Sequence, residues 1–506
     1  MTQLNTILQS LAGGMSAQQG ADVSLGGSAG GSPSQVQDLI KALTASNYQT
    51  DVATLTDGGA LGVQSLDNAM KAIVQEQEHF VLFKKLATTN ATNIVDEYVR
   101  KTGVGGHLGG SVISQMGVVQ PATGEYSREI GLVKFLATLR QVGYVGNLVN
   151  NIASMTAEEE INGGLQLLTD AEFMLFEGNA DACPVQFDGI FKQINDAVTA
   201  GDISADHVID MQATPLKSVE PLTKIGAAVA KYGNWGYSTD LLLPLDVQVD
   251  LNNELDPAFR WSQTPSASPL TIGTHVEGIR LQNGVLRTSM DTFIPYDDFP
   301  SSKPFEVTWS ATAAANVAIK PASLTVDAGT SDATSMFGAS HAGNYFYAVT
   351  GISGEGRGQS AITAATVTAV AAGKKAVLTI TKSSGGAETG YAIYRSKLGA
   401  TSAVAADMRL VTIVAKDGAT TTYTDVNRDI PGTVRVPILN MRPGSDAIGW
   451  RQFNPMTKIP LPFGIGGMMV HSWFQCLMGY LRITKPAHHG IIKNILPSNA
   501  TWRPFG

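Results

Sequence analysis

The chain is poor in cysteine, in charge and in basic clusters. Its two cysteines are Cys183 and Cys476. Neither sits in a C-x-x-C pair or a Cys/His zinc spacing, which argues against a disulfide framework or a structural metal and for two incidental thiols in a reducing compartment. Charged residues are 15% of the chain, against about a quarter in ordinary soluble domains. A subunit that hides much of its surface against copies of itself tolerates that shortage, although Gly and Ala richness also dilutes charge. Lys plus Arg is 35 and Asp plus Glu is 43, for a net charge of −8. There is no basic block of the kind that neutralises phosphates, which argues against sequence-specific DNA binding. A lining that merely encloses DNA needs no such block. The opening MTQLNTILQSLAGG lacks the basic start of a signal peptide. Between Lys458 and Arg482 the chain is uncharged over a length that would span a bilayer. Pro460, Pro462, the segment Gly464 to Gly467, His471, Ser472 and Gln475 interrupt it, so it reads as buried loop and strand.

What is present is helical and extended patterning in alternation. Residues 1–60 are polar, with the linker-like GGSAGGSPSQ and a short helix from Gln35 to Thr44. Leu66 to Leu86 reads as an amphipathic helix capped by Ser65. Residues 88–140 read as a long two-stranded excursion: TNIVDEYVRK rises, GVGGHLGGS forms the tip, and EYSREIGLVKFLATLRQVGYVG returns with Val133, Phe135, Ala137 and Leu139 on one face. The distal half offers few apolar residues for a core, and an isolated hairpin is marginal in water. It is therefore expected to be ordered by lying on a neighbouring subunit.

Met155 to Phe176 is expected to be a helix on the order of 30 Å long. Thr156 and Glu159 form a capping box, Ile161, Leu165, Leu168 and Leu175 form one stripe, Gly163 and Gly164 allow another backbone close, and Gly178 ends it. Ser218 to Tyr232 is a second helix with Pro221 in its first turn and Leu222, Ile225 and Val229 inward. The buried strand TDLLLP and a short helix carrying Val247 and Leu251 follow. Alternation of this kind indicates an α+β body. From about Phe305 the composition turns to Thr, Ala, Val, Gly and Ser, with short strands NYFYAVTGIS, AITAATVTAV, AVLTITKS, GYAIYRS, MRLVTIVA and TTTYTDV. This is the pattern of an inserted β-sandwich. After Pro431-Gly432 mixed character resumes.

Chemical motifs are few. Gly26-Gly27-Ser28-Ala29-Gly30 matches a nucleophile elbow in letters but lies in linker, without the strand and helix that the motif requires. Gly354, Gly356 and Gly358 beside Arg357 lack a following helix or GK[ST] and read as a strand connection. His488 and His489, read as strand residues, point to opposite faces with no third ligand. Glu158, Glu159 and Glu160 suit a helix N-terminus. Asp297 and Asp298 lie in a Pro-bounded loop beside Tyr296, and nothing else supports a cation site there. No residue is assigned a catalytic, cofactor or metal role. The candidate functional residues are mechanical: Glu97, Arg100, Lys101, Arg128, Glu129 and Lys134 in the excursion are candidates for charge pairing with the next subunit, a contact that sets register more than affinity.

The order of these features resembles the tailed-bacteriophage major capsid family, whose fold is shared with encapsulin shells. QSLDNAMKAIVQEQ is similar to that family's N-terminal arm and first helix, and the 88–140 excursion to its extended loop. TAEEEINGGLQLLTDAEFMLFEG followed by FDGI is similar to the spine helix and glycine turn, STDLLLPLDVQVDL to the axial domain, and QCLMGYLRITKPAHHGIIKNI to the closing strands. The match covers roughly residues 60–300 and 433–496. The insert resembles immunoglobulin-like or fibronectin-type domains, with one departure. Tyr345-Phe346-Tyr347-Ala348-Val349 precedes Gly390-Tyr391-Ala392-Ile393-Tyr394-Arg395, the reverse of the usual order, so a permuted topology is expected.

The resemblance implies 1–60 as a flexible N-terminal segment, 61–87 as N-arm and first helix and 88–140 as extended loop. It implies 141–304 as peripheral and axial domains, 305–432 as the immunoglobulin-like insert and 433–506 as the return. It implies a structural subunit, without enzymatic activity or cofactor, that assembles into hexamers and pentamers of an icosahedral head enclosing double-stranded DNA in the virion. Assembly is expected in the host bacterial cytoplasm, with scaffolding, portal and minor or decoration proteins as partners and no membrane. The alternatives are an encapsulin-like cargo compartment and a tail or adhesin protein displaying an immunoglobulin-like module.

Overall fold

The computed structural model describes residues 79–148, 154–254, 278–297, 318–354, 360, 362–364, 368–401, 404, 407–464 and 467–505. The chain divides into two units, Met1–Lys71 and Ala72–Gly506, and every described residue belongs to the second. The expected N-terminal segment, the Gln35–Thr44 helix, the glycine-serine motif at 26–30, most of the Leu66–Leu86 helix, Gly356, Arg357, Gly358 and Asp298 lie outside the described residues.

The body begins at α1 (Val81–Lys85), the end of the helix expected to Leu86, where Leu82 is buried. β1 (Thr88–Asn90) follows. β2 (Val95–Gly103) and β3 (Glu125–Leu132) form an antiparallel hairpin with Val95 opposite Leu132. The connection between them runs over 104–124, longer than the 103–111 tip expected from the glycines. β4 (Lys134–Gly143) leads through α2 (Tyr144–Leu148) to α3 (Met155–Glu177).

The α3 helix is where it was expected, but two details differ. Its cap is Ser154, whose side chain accepts from the Ala157 N–H, because Thr156 already lies inside the first turn. Its buried line is Leu167, Ala171, Met174 and Leu175, while Ile161 is exposed. Of the expected stripe, Leu175 is in the core, Leu165 and Leu168 are partly buried against it, and only Ile161 is left out. A Cβ on Gly163 would lie 1.8 Å from Gln475 Oε1, so that glycine admits a side chain, not a second backbone. At Gly178 a Cβ would lie 2.2 Å from the Phe187 carbonyl, and the chain turns back there with Gly189 N–H donating to Gly178 O at 2.9 Å.

α4 (Ile190–Ala200) buries Ile190, Phe191 and Ile194. After β5 (Val208–Thr214), α5 (Glu220–Ala230) has Pro221 in its first turn and buries Leu222, Ile225 and Val229, as their spacing predicts. β6 (Asp240–Leu243) is buried throughout, and α6 (Leu245–Glu254) buries Val247 and Leu251. β7 (Gly278–Leu281) and β8 (Gly284–Met290) complete this half.

The Thr- and Val-rich region is a two-sheet β unit. Its strands are β9 (Ser323–Asp327), β10 (Gly343–Tyr345), β11 (Tyr347–Ser353), β12 (Thr363–Ala364), β13 (Thr368–Val370), β14 (Ala376–Thr381), β15 (Glu388–Ser396), β16 (Met408–Ala415) and β17 (Thr420–Asp425). The sheets run β17-β14-β9 and β12-β11-β15-β16, with β10-β13 as a separate pair. Two expected strands are broken. NYFYAVTGIS splits at Phe346 into β10 and β11, and AITAATVTAV into β12 and β13, each half joining a different sheet. Tyr347, Val349, Leu378, Ile380, Tyr391 and Ile393 fill the space between sheets. In the same interior Arg395 pairs with Asp425 at 2.6 Å, and Tyr347 Oη donates to that carboxylate at 2.9 Å. Asn427 Oδ1 accepts from the second terminal nitrogen, Nη2, at 2.7 Å, while Nε is buried without a hydrogen-bond partner, so the pair keeps part of the cost of a buried charge.

The chain returns to the body as β18 (Val434–Leu439), β19 (Ile448–Pro460), β20 (Val470–Ile483) and β21 (Gly490–Ile495). The body holds a six-stranded sheet, β5-β21-β18-β6-β8-β7, and a four-stranded sheet, β1-β19-β20-β4. One apolar core joins both sheets to α1, α3, α4 and α5. The described residues of the uncharged stretch after Lys458 are the end of β19, 461–464, 467–469 and most of β20. No helix among the described residues is long and apolar enough to cross a membrane. The architecture is mixed α and β, with the all-β unit bonded to the body through Thr389 Oγ1 to Ala182 O (2.7 Å), Trp502 Nε1 to Asp407 O (3.0 Å) and Leu398 N to Pro504 O (2.8 Å).

Candidate assembly surface

Alternation along the hairpin separates its residues into two faces. The inner face carries Asp96, Tyr98, Arg100, Ser127, Glu129 and Gly131, and it rests on the chain's own body. Asp96 is the anchor. Arg451 grips its carboxylate with Nε at 2.8 Å and Nη2 at 3.0 Å, and Tyr480 Oη donates to it at 2.6 Å. The Arg451 bond, against the opposing effect of burial, holds the Asp96 carboxyl below the usual range. Arg482 lies over the Tyr98 ring at 5.0 Å, and Arg100 reaches Asp202 at 3.4 Å. Gly131 is required here, because a Cβ would stand 2.2 Å from the Tyr480 ring.

The outer face carries Val95, Glu97, Val99, Lys101, Tyr126, Arg128, Ile130 and Leu132. All of them are exposed, and Glu97 pairs with Arg128 at 3.3 Å across the ladder. Beyond Gly103 the ladder stops. The 104–124 connection holds local turns, such as Gly110 N–H to His107 O at 2.9 Å and Gly117 N–H to Ser114 O at 2.9 Å. Its apolar side chains are Val104, Leu108, Val112, Ile113, Met116, Val118 and Val119. Leu108 is 86% and Met116 96% exposed. The distal arm is therefore not short of apolar residues, as expected from its glycines. It has them, and none is covered. Full burial of one such side chain is worth roughly 1.5–3 kcal/mol, so this segment has a strong drive towards a partner surface.

A second uncovered surface is the outer face of the four-stranded sheet. Leu136 and Leu477 turn inward to the core, while Phe135, Ala137 and Leu139 turn out. The expected face of Val133, Phe135, Ala137 and Leu139 thus loses Val133, which is buried in the break before β4. Phe474 stands opposite Leu139 on one side and Ile459 on the other, giving an exposed apolar row across three strands. At the sheet end Tyr144 meets the exposed Phe463 edge-on at 5.7 Å.

The six charged residues singled out in the sequence occupy different settings. Glu97, Arg128 and Lys101 face outward. Arg100 and Glu129 lie inward, 3.8 Å apart. Lys134, at the root of β4, donates to Pro184 O at 2.5 Å. Sequence reasoning missed Asp96, Arg451, Tyr480 and Arg482. Asp96 and Arg451 are 355 positions apart, and no local pattern links them.

The remaining motifs are structural. Glu159 pairs with Arg140 at 3.1 Å and Glu160 with Lys458 at 2.5 Å, so strand cations engage them in addition to any helix-end effect. Asp297 is taken by Arg409. His488 ends a single 3-10 turn, Pro486–His488, and His489 leads out of it, so neither is on the strand that was expected. His488 Nε2 donates to Asn234 O at 2.9 Å, which leaves Nδ1 to accept from Asn440 Nδ2 at 3.0 Å. Burial pushes His489 down to about 3, and its Nδ1 accepts from Asn440 N–H at 3.2 Å. Among the described residues no group of three His, Cys, Asp or Glu is placed to hold a metal.

No family model matches the chain, and no curated protein matches it. Solved structures do. The holo encapsulin complex from Synechococcus elongatus matches at 9% identity and TM-score 0.36, covering 90% of this chain and 98% of that one. Mycobacterium phage Bobi matches at 9% identity and TM-score 0.43, covering 88% and 99%. The capsid of a native GTA particle matches at 8% identity and TM-score 0.45, covering 88% and 99%. Likeness at this level assigns neither a family nor a function, so the functional reading rests on the surfaces described above.

Proposed function

We propose that this chain is the shell subunit of a tailed-phage capsid, and that its activity is self-assembly. The observation that carries the reading is the hairpin, fixed on its inner face and uncovered on its outer face and along 104–124. A mobile loop would collapse its apolar residues onto the nearest surface. An arm gripped at Asp96 holds Val95, Val99, Tyr126, Ile130 and Leu132 away from the core, ready for a neighbour. Arm and sheet face are different surfaces, so the contact they favour is heterologous, and heterologous contacts generate rings when the rotation closes. Rings that curve close into shells. Hexamers and pentamers enclosing double-stranded DNA in a virion follow from this reading, as do scaffolding, portal and decoration partners. Glu97, Lys101 and Arg128 are the charges best placed to set register on the neighbour, with Arg100, Glu129 and Lys134 bracing the arm from within. The β unit is proposed as an immunoglobulin-like insert of permuted order: β11 pairs antiparallel with β15, Val349 opposite Ile393, although the sequence reverses their usual succession.

The test is expression of the full chain, alone and with phage scaffold, followed by negative-stain microscopy. Replacing 104–124 by a tight turn is expected to leave circular dichroism and melting unchanged while closed particles disappear. Unchanged particles, or a wild-type chain that stays monomeric at high concentration with scaffold present, would overturn the proposal.

A further inference from the structure

Helix α1 packs on the core beside α3 through Phe80, Leu82 and Phe83 and is hydrogen-bonded to α3 through one carboxyl group. Glu172 is fully buried. Its Oε1 accepts from the Leu82 N–H at 2.7 Å and its Oε2 from the Phe83 N–H at 2.9 Å. Against it lies a second buried acid, Asp291, just after β8. Asp291 Oδ1 accepts from the Phe293 N–H at 2.9 Å, whereas Oδ2 is buried without a hydrogen-bond partner. Phe80 and Phe293, both buried, stack beside the pair at 5.2 Å. Other charged or titratable groups on the packed elements are His79, Lys84 and Lys85 at α1, Asp170 on α3, Asp240 on β6 and Arg287 on β8, while Glu159, Glu160 and Glu177 of α3 pair with Arg140, Lys458 and Arg435. Lys85 is engaged by Asp240 at 2.9 Å and Ser289 at 2.6 Å.

Two carboxyl groups in contact at a buried site cannot both ionise without strong repulsion. An orphaned buried acceptor also needs a donor. One proton between the two acids meets both needs. We propose that Glu172 and Asp291 share a single proton, and that this proton is the catch holding α1, the root of the preceding N-terminal segment, against α3. The inference is independent of the shell reading.

Burial pushes both carboxyls above the usual range, and for Glu172 the Asp291 charge adds to it. A group whose folded pKa is raised retains in the folded state a proton that the unfolded chain gives up. Its contribution is therefore full in acid and is lost as pH rises through the folded pKa. The catch is firm in mild acid and opens on the alkaline side.

The experiment is amide hydrogen exchange of Leu82 and Phe83 in the full chain from about pH 6 to about pH 10, corrected for intrinsic exchange, where release of one linked proton loses protection roughly tenfold per pH unit. Asp291→Asn puts a permanent N–H donor against Glu172 and is expected to flatten that profile with protection retained. Wild-type infrared spectra are expected to show a protonated-carboxyl band, absent from Glu172→Gln, that vanishes over the same pH range. A flat wild-type exchange profile, or no such band at neutral pH, overturns the proposal. If Asp291→Asn does not fold, the wild-type titrations decide it alone.

Discussion

Gly131→Ala tests whether the hairpin is braced by the body. The added Cβ would lie 2.2 Å from the Tyr480 ring, well inside carbon contact distance. The ring is fixed at its far end by the 2.6 Å bond to Asp96, so it cannot slide without breaking that bond. Overpacking of this kind costs about 1–3 kcal/mol. Losing a hydrogen bond to a charged group adds about 1.5–3 kcal/mol. Partial relief of one by the other puts the expected loss at about 2–4 kcal/mol, read as the shift in denaturant midpoint at constant slope. The control is the cycle with Tyr480→Ala. Once the ring is gone the extra methyl has room, and Gly131→Ala is expected to cost under about 0.5 kcal/mol in that background. Additive costs in the double variant would refute the reasoning, because the glycine would then be needed for something other than the ring.

Three further outcomes follow from other contacts. Asp96→Asn is expected to destabilise the chain by about 2 kcal/mol at neutral pH. Because the Asp96 carboxyl sits below its usual range, its contribution is present above the unfolded pKa and lost as pH falls through the folded one. The variant's deficit, measured by urea melts, therefore shrinks in acid. Val99→Asp with Ile130→Asp, both on the exposed outer face, is expected to change stability by under about 0.5 kcal/mol while abolishing particles in sedimentation and microscopy. Trp502→Ala removes a nearly buried ring, its bond to Asp407 O and the Arg409 guanidinium stacked at 5.1 Å. It is expected to cost about 3–5 kcal/mol and to raise hydrogen exchange where the β unit meets the body.

Elements stabilised by their own periodicity were legible in the sequence. The spacing of Leu222, Ile225 and Val229 behind Pro221 found α5, and the unbroken DLLL run found β6, because burial on one helix face or on both strand faces is written locally. Long-range packing decided the rest. Ile161 has the same local credentials as Leu167 and Ala171, and only the surfaces that α3 packs on decide that Ile161 is exposed and the other two are buried. The expected strand NYFYAVTGIS has no breaker at Phe346. Its division comes from the geometry of two sheets, one pairing Tyr345 with Thr368 and the other Tyr347 with Arg395. The six arm charges were readable as a group but not by face, since a hairpin's inner side is defined by what lies beneath it. Asp96, the residue that fixes the arm, was passed over because its partners come from β19 and β20, near the other end of the chain.

The division of the hairpin into two faces bears on how an arm can serve assembly at all. An arm with no support would lose backbone entropy on docking, about 1–2 kcal/mol for each residue ordered, and that loss would offset much of the apolar gain. An arm packed on both faces would have nothing left to offer. Here the ladder from Val95 to Gly103 is ordered in advance by Asp96, Tyr98 and Arg100, while Val99, Tyr126 and Ile130 stay bare. Docking the proximal half therefore gains apolar burial without paying again for order. The ordering cost is confined to 104–124, where the exposed side chains are densest. Removing the Asp96 anchor should then weaken assembly beyond what subunit stability alone accounts for. Shells formed at wild-type concentration by an Asp96→Asn chain that is measurably less stable would show that the arm does not need to be held in advance.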